Sequence, residues 1–517
     1  MELFRSRRSL YRSSQYEIKR NLIRSRDRQR RRAERLRGQV EALEAENQRL
    51  RRSLKRCEEQ LQLHTLAQET NRAASTEGDH PADRSSLSAM PIAGHHFAAS
   101  MIALCIDLAK QVGFRPAQRA LETMVKALKL DVEVPSHDAI RNWTSRLGLG
   151  ELEDTFRQDQ DVMWMADHSS QVGSERVLLI IGMAMEDLPE RGQTLSLDKF
   201  KVLAVVPGER WKKEDVRREY QKLAARIGAP RYLLCDGATE LRDPAEELEK
   251  AGRKTIVLGD LKHHAANILE KHIGRTERFK EFITQAGLTR NRVQQTELSP
   301  FAPPPLKQKS RFMNLDQLLR WAGMVNYHLD NPRSQAHAGV TADRMNEKLG
   351  WLRDYREELA GWAACQKVID AALSFIHDEG LSVGAADRLR TRLEEVMPDP
   401  REGHEAVGRI AGLLVEFVER SERLLDPGER AWLSTEILES LFGRFKQLEG
   451  QHSKGGFTSL LAALPSFCCR IDPSRVRKRL LQVSTTKLKQ WLQETIGSTL
   501  ASQRAKAYQQ YAAAQAG

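Results

Sequence analysis

Two short apolar runs in this chain each stop on an aspartate. Val162-Met163-Trp164-Met165-Ala166 ends on Asp167, and Tyr232-Leu233-Leu234-Cys235 ends on Asp236. Joined by a glutamate arriving later from a helix, two such carboxylates form a hard oxygen ligand set suited to divalent magnesium or manganese. An aspartate closing a buried run is not core filler; its carboxylate must sit at an edge, where it can hold an ion.

The elements that must position these acids follow from the hydrophobic pattern. Both runs are too short for buried helices and read as buried strands. The spacing predicts strands over 161–166, Val177–Met185 and Lys199–Val206, a helix over Lys213–Ile227, and a strand over 231–235. A helix over Pro244–Ala251 and a strand over Thr255–Leu258 complete the set.

At 517 residues the chain has material for two to four domains and a large core. It contains no run of about 18 apolar residues, so no membrane span is expected, and the Arg-rich start lacks the apolar stretch of a secretory signal. Cys57, Cys105, Cys235, Cys365, Cys468 and Cys469 are scattered without zinc spacing, which fits reduced thiols in a cytoplasmic protein.

The net charge of +12 is concentrated at one end: residues 1–37 carry 14 Lys and Arg against 4 Asp and Glu. Such asymmetry points to an arm for a polyanion, with Arg24, Arg28, Arg31 and Arg32 as candidate DNA contacts. A heptad follows. Leu36, Leu43, Leu50 and Cys57 share one seam position; Val40, Asn47, Leu54 and Leu61 share the other. This is the spacing of a coiled coil, and a lone Asn47 in the seam favours a parallel two-stranded register, hence at least a homodimer. Over residues 19–61 the pattern resembles a basic-leucine-zipper arm, in which paired helices fork across the major groove. Phosphate contact is the safer expectation than base reading.

Residues 66–94 read as a linker. Beyond it, Met101–Val112, Pro116–Leu128 and Asp138–Leu147 form three helices, the last capped by Ser136 and stopped by Gly148. The last two are spaced like a helix-turn-helix, with Arg141, Asn142 and Arg146 on its reading face. A three-helix packing module without DNA contact has the same pattern.

The order of three strands, helix, strand, helix, strand is that of the ribonuclease H-like fold, and Asp167 and Asp236 fall where that fold places its first two acids. The chain resembles a DDE-type transposase of a bacterial insertion sequence. The resemblance implies a third acid on a helix returning to the sheet, and Ser434-Thr435-Glu436-Ile437-Leu438-Glu439-Ser440-Leu441-Phe442 is similar to that segment. Glu436 and Glu439 compete for the role. Glu439 lies about 60° from Phe442, at the rim of the helix's apolar face, and is preferred over the more outward Glu436. Asp260-Leu261-Lys262-His263 resembles the short acid-or-cysteine, two residues, histidine motif of some transposase groups, making Asp260 and His263 auxiliary site residues.

The resemblance further implies two Mg2+ or Mn2+ ions about 3.5–4 Å apart, bridged by Asp167 and completed by Asp236 and Glu439. Its partners would be the element's terminal repeats and target DNA, and its place the bacterial nucleoid. Asp236 and Glu439 are 203 residues apart, and the stretch opened by the Pro-rich 299–305 reads as an all-helical insertion: Leu315–Tyr327, Asp343–Leu359, Trp362–Glu379, Ala385–Val396 and Ala406–Leu425. The hAT-like and Mutator-like groups share that layout. Trp351 or Trp362 would be available to stack on a base, although most helical tryptophans are core. Lys446–Lys454, the turn at 452–456 and Arg475, Arg477, Lys478 and Arg479 add positive charge for phosphate, or simply a solvated face.

The expected organisation is multidomain: a parallel coiled coil (1–65), a helical helix-turn-helix-like DNA-binding domain (95–150), and a ribonuclease H-like mixed-sheet core (160–298 and 429–517) interrupted by an all-α insertion (299–428). A ribonuclease H-like nuclease without strand transfer, or a noncatalytic zipper-type regulator, are the rival readings.

Overall fold

The computed structural model describes residues 90–168, 176–208, 210–305, 315–331, 340–397, 405–450 and 460–497, together with Tyr508 and Tyr511. The basic arm with Arg24, Arg28, Arg31 and Arg32, the heptad seam with Leu36, Val40, Leu43, Asn47, Leu50 and Leu54, and the turn at 452–456 lie outside the described residues.

Among the described residues three helices come first: α1 (Ala99–Val112), α2 (Phe114–Leu128) and α3 (His137–Glu153). Ser136 caps α3 as expected, its Oγ accepting from the Ala139 N–H at 3.2 Å. Gly148 does not stop the helix. A Cβ at Gly148 would lie 2.0 Å from the Ala462 carbonyl, and one at Gly150 would lie 2.8 Å from the Arg479 side chain. These glycines let α3 press against a later part of the chain, so closeness of packing, not termination, explains them.

A five-stranded sheet follows, built from β1 (Val162–His168), β2 (Arg176–Ala184), β3 (Lys201–Gly208), β4 (Tyr232–Cys235) and, after a hairpin, β7 (Ile256–Gly259). Its order is β3-β2-β1-β4-β7. β1–β2 and β2–β3 are antiparallel; β1–β4 and β4–β7 are parallel. Between β3 and β4 runs α4 (Lys213–Ile227), and α5 (Thr239–Ala245) follows β4. The helix expected over Pro244–Ala251 is displaced. Pro244 lies near the end of α5, and residues 249–254 instead form a hairpin of β5 (Glu249–Lys250) and β6 (Arg253–Lys254). Ala251 and Gly252 turn it with φ of 52° and 80°, the two positive values a tight two-residue hairpin turn needs.

Strand alternation divides the core in two. Trp164, Ala166, Leu233 and Cys235 face Val216, Tyr220, Leu223 and Ile227 of α4. Met163, Met165, Tyr232, Leu234 and Leu258 face the much larger helical side. That side begins with α6 (Leu261–Leu269), a π turn (Glu270–Gly274) and α7 (Glu277–Val293), and continues with α8 (Leu315–Asp330) and α9 (Ala342–Leu349). It is completed by α10 (Arg356–Glu379), α11 (Ala385–Glu394) and α12 (Glu405–Glu422). Among the described residues of 299–428, the elements are helical apart from β8 (Leu381–Ser382), which pairs with β9 (Arg430–Ala431) on the way out. Residues Ala342–Glu379 are long and apolar enough by composition to cross a membrane, but Leu359, Trp362, Val368, Ile369, Phe375 and Ile376 of α10 are core residues here. Trp362 packs edge-on against Phe279 and Phe282, and Trp351 donates from Nε1 to Thr289 Oγ1 at 3.0 Å. Trp362 is buried in the helical packing, whereas Trp351 is half-buried and lines a surface pocket with Arg278 and Tyr355.

The chain then returns to the sheet. Arg231, ahead of β4, pairs with Asp426 and Glu429, and Tyr232 donates to Glu429. From that anchor the backbone runs to Leu433, whose carbonyl accepts from Leu261 N–H at 2.8 Å. There α13 (Glu436–Gly450) begins. A 3-10 segment (Leu460–Cys468), α14 (Pro473–Gln482) and α15 (Thr485–Ile496) pack against α3.

Candidate active site

Parallel pairing places three aspartates in a row. Met165 is level with Leu234, and Leu234 with Leu258. Two residues farther along each strand stand Asp167, Asp236 and Asp260, with the same facing parity as those core residues. Adjacent strands are about 4.8 Å apart, so Asp167 and Asp236 bring two carboxylates to one sheet edge. β1 extends two residues beyond its expected end, and Asp167 still pairs with Leu179. Asp236 begins the loop after β4; its Oδ1 accepts from Ala238 N–H at 2.9 Å around Gly237, whose φ is 87°.

Crowding of like charge has a measurable consequence. Burial first, then the neighbouring Asp236, push Asp167 up to about 7. The His168 N–H, 2.7 Å from Asp167 Oδ1, works in the opposite direction. His168 itself stacks on Trp211, ring centroids 5.8 Å apart, and burial lowers its proton affinity. It belongs to the packing of the opposite face.

Asp260 does a different job from its two neighbours. Oδ1 caps α6 by accepting from His263 N–H at 2.7 Å, and also lies 3.2 Å from His263 Nδ1. Oδ2 accepts from Thr435 N–H at 2.5 Å and Thr435 Oγ1 at 2.7 Å. Burial works to raise Asp260, yet these bonds hold it below the usual carboxylate range. Its carboxylate is thus committed to joining the starts of α6 and α13. In return it raises His263, with Asp236 and Asp167 adding to the effect against burial.

The two glutamates that compete as third acid stand in the first turn of α13, where the helix dipole favours negative charge. Both meet one cation. Lys262 Nζ is 2.9 Å from Glu439 Oε2 and 3.2 Å from Glu436 Oε1. Burial opposes the ammonium, but the two glutamates outweigh it and Lys262 is held above the usual lysine value. Glu439 also contributes to the field at Asp167, while Glu436 is the more exposed of the two. Lys262 sits inside the Asp260–His263 motif, and Thr435 inside the Ser434–Phe442 segment. A lysine within reach of the acids was the only sequence sign of the first; the second gave none.

Among the described residues, no three acid, histidine or cysteine side chains stand close enough to form a ready three-ligand set. In chemistry the donors fit a divalent cation: two hard carboxylates are level on neighbouring strands, one destabilised by the charge of the other. Glu439 Oε2 is held by Lys262 in this structure.

The other sequence-predicted contacts are dispersed. Arg146 is not on a reading face. It is buried, with Nε donating to Val483 O at 2.6 Å and Nη2 to Leu480 O at 2.7 Å. Arg141 is exposed and pairs with Asp138 at 3.0 Å, and Asn142 lies at the edge of α15, 3.5 Å from Thr485 Oγ1. Arg479 is likewise buried, bridging Glu151 and Asp154 at 2.8 Å each; Arg477 and Lys478 remain exposed. The face of α3 that a helix-turn-helix would present is therefore largely occupied by the C-terminal helices.

No family model matches the chain, and no curated protein matches it. Among solved structures, the Drosophila P element transposase strand transfer complex is similar over 84% of this chain and 98% of that chain. The identity is 12% and the TM-score 0.34. A likeness that remote assigns neither residues nor an activity.

Proposed function

We propose that this chain is a DDE-type transposase, of the kind that bacterial insertion sequences encode, with a ribonuclease H-like core. In this reading it binds the ends of a mobile element, cleaves DNA and joins the freed 3′-hydroxyls to target DNA. The observation that carries the reading is the level placement of Asp167 and Asp236 on adjacent parallel strands, with the α13 acids returned to the same edge by the Asp260–Thr435 joint. The β3-β2-β1-β4-β7 strand order, with its antiparallel half and parallel half, supports it.

Divalent magnesium or manganese, when bound, supplies activation of the attacking oxygen and stabilisation of the leaving oxygen of a phosphodiester. Asp167, Asp236 and Glu439 would hold the ions. Asp167 must release its proton to do so, which its raised value makes a step near neutral pH. His263, whose proton affinity Asp260 raises, stands beside the aspartates, where its ring N–H would donate to a phosphate oxygen. The heptad at 36–61 would pair two copies, as holding two DNA ends together requires.

Metal-dependent nicking and joining of DNA tests this. Asp167→Asn and Asp236→Asn should each lower both reactions at least about 100-fold; unchanged activity in both would sink the assignment. Cleavage without joining by the wild-type protein would favour a nuclease instead. Glu439→Gln should match the aspartate variants while Glu436→Gln retains most activity, and the reverse result would transfer the third role to Glu436.

A further inference from the structure

Lys262 is placed by two helices that are fixed to each other. Its backbone lies in the first turn of α6, whose start is joined to α13 through Leu261 N–H to Leu433 O at 2.8 Å and through Asp260 to Thr435. The acids facing it lie in the first turn of α13. The ammonium and the carboxylates therefore meet across a rigid joint and not between two loose surface chains. The lysine side chain is only 21% exposed, against 37% for Glu439 and 51% for Glu436. The Glu439 contact is shorter and better shielded from water, so it is the stronger of the two.

We infer that Lys262 is a tethered counter-ion of Glu439, which a divalent cation must displace from that carboxylate before the metal site is complete. The inference rests on the metal reading above and adds a competitor to it. One carboxylate cannot give the same charge to an ammonium and to a divalent ion without bringing the two cations into repulsion. In the metal-free protein Lys262 satisfies Glu439 and keeps it from adding fully to the negative field of Asp167 and Asp236. Metal binding then exchanges one cation for another at Glu439, and Glu436 remains beside the released ammonium. Lys262 is a positioning residue in this scheme and sets the threshold of ion concentration at which the site fills.

The test is a Mn2+ titration of the full-length, metal-free protein, reading free Mn2+ by its electron paramagnetic resonance signal. Lys262→Met should tighten Mn2+ binding at least about fivefold, and Lys262→Arg should bind like wild type. In a Glu439→Gln background, Lys262→Met should change affinity less than about twofold, because the competing contact is already gone. Lys262→Gln serves as a second neutral variant, with thermal unfolding used to confirm folding of each. Neutral variants that bind Mn2+ as weakly as wild type, or more weakly, would overturn the counter-ion role. A wild-type protein with no Mn2+ binding that Asp167→Asn removes would overturn the metal reading itself, a separate and distinguishable failure.

Discussion

Asp260 Oδ2 accepts from both the backbone N–H and the hydroxyl of Thr435, a residue 175 positions later in the chain. This one oxygen joins the end of β7 to the start of the helix that carries Glu439. Asp260→Ala leaves two helix starts without their acceptor in a buried setting and is expected to cost about 2–4 kcal/mol. Thr435→Val, which keeps the N–H contact, should cost about 1 kcal/mol. Urea unfolding measures both, and equal losses would show that the hydroxyl, not the backbone contact, dominates the joint.

Stability of the metal-free protein should carry the signature of Asp167. Its folded value is about 7, against roughly 3.9 for an unfolded aspartate. Between these values the folded chain keeps a proton that the unfolded chain has released. This group's contribution is therefore present at low pH, and falls as pH rises through the folded value. Relative to Asp167→Asn, wild type should lose on the order of 2 kcal/mol between pH 5 and pH 8. Denaturant melts of the two proteins that run parallel across that range would rule the effect out.

Gly148→Ala is expected to be more damaging than its size suggests. The added methyl would stand 2.0 Å from the backbone carbonyl of Ala462, and backbone on both sides limits relief. A loss of about 1–3 kcal/mol follows from overpacking. A control at Gly412, where nothing lies within 4 Å, should gain slightly in helix stability. Similar melting temperatures for the two variants would contradict the close packing of α3 on the 460–468 segment.

Arg146 separates a structural from a DNA-reading role. Arg146→Met removes donors from Val483 O and Leu480 O and should destabilise by about 2–3 kcal/mol. Arg141→Gln, at an exposed ion pair, should change stability by less than about 0.5 kcal/mol. If Arg146→Met melts like wild type yet loses DNA binding, the helix-turn-helix reading of α3 regains its footing.

The sheet and its acids were legible because strand identity is local. Four or five apolar residues ending on an aspartate at 167 and 236 announce each strand, although β1 runs on to His168 and keeps Asp167 paired within it. The crossover through α4 from β3 then sets the direction of β4. What was not legible depends on partners distant in sequence. Arg146 looks like a surface cation until Leu480 and Val483 supply carbonyls from more than 330 residues away. Gly148 looks like a helix stop until Ala462 fills the space a side chain would need. Asp260 and His263 were found through a motif, but the use of Asp260 as an anchor for Thr435 is visible only once α13 is seen to return.

The long excursion between β7 and α13 also orders events in time. Ribosomal synthesis delivers Asp167, Asp236 and Asp260 on neighbouring strands while Glu439 has yet to be made. The edge of the sheet can close around its first two acids early, but Thr435 must arrive before Asp260 has its second partner. The Asp260–Thr435 joint can therefore close only after the whole helical region has been made. A nascent chain stalled in the helical region would hold Asp167 and Asp236 at the sheet while the whole of α13 is still missing.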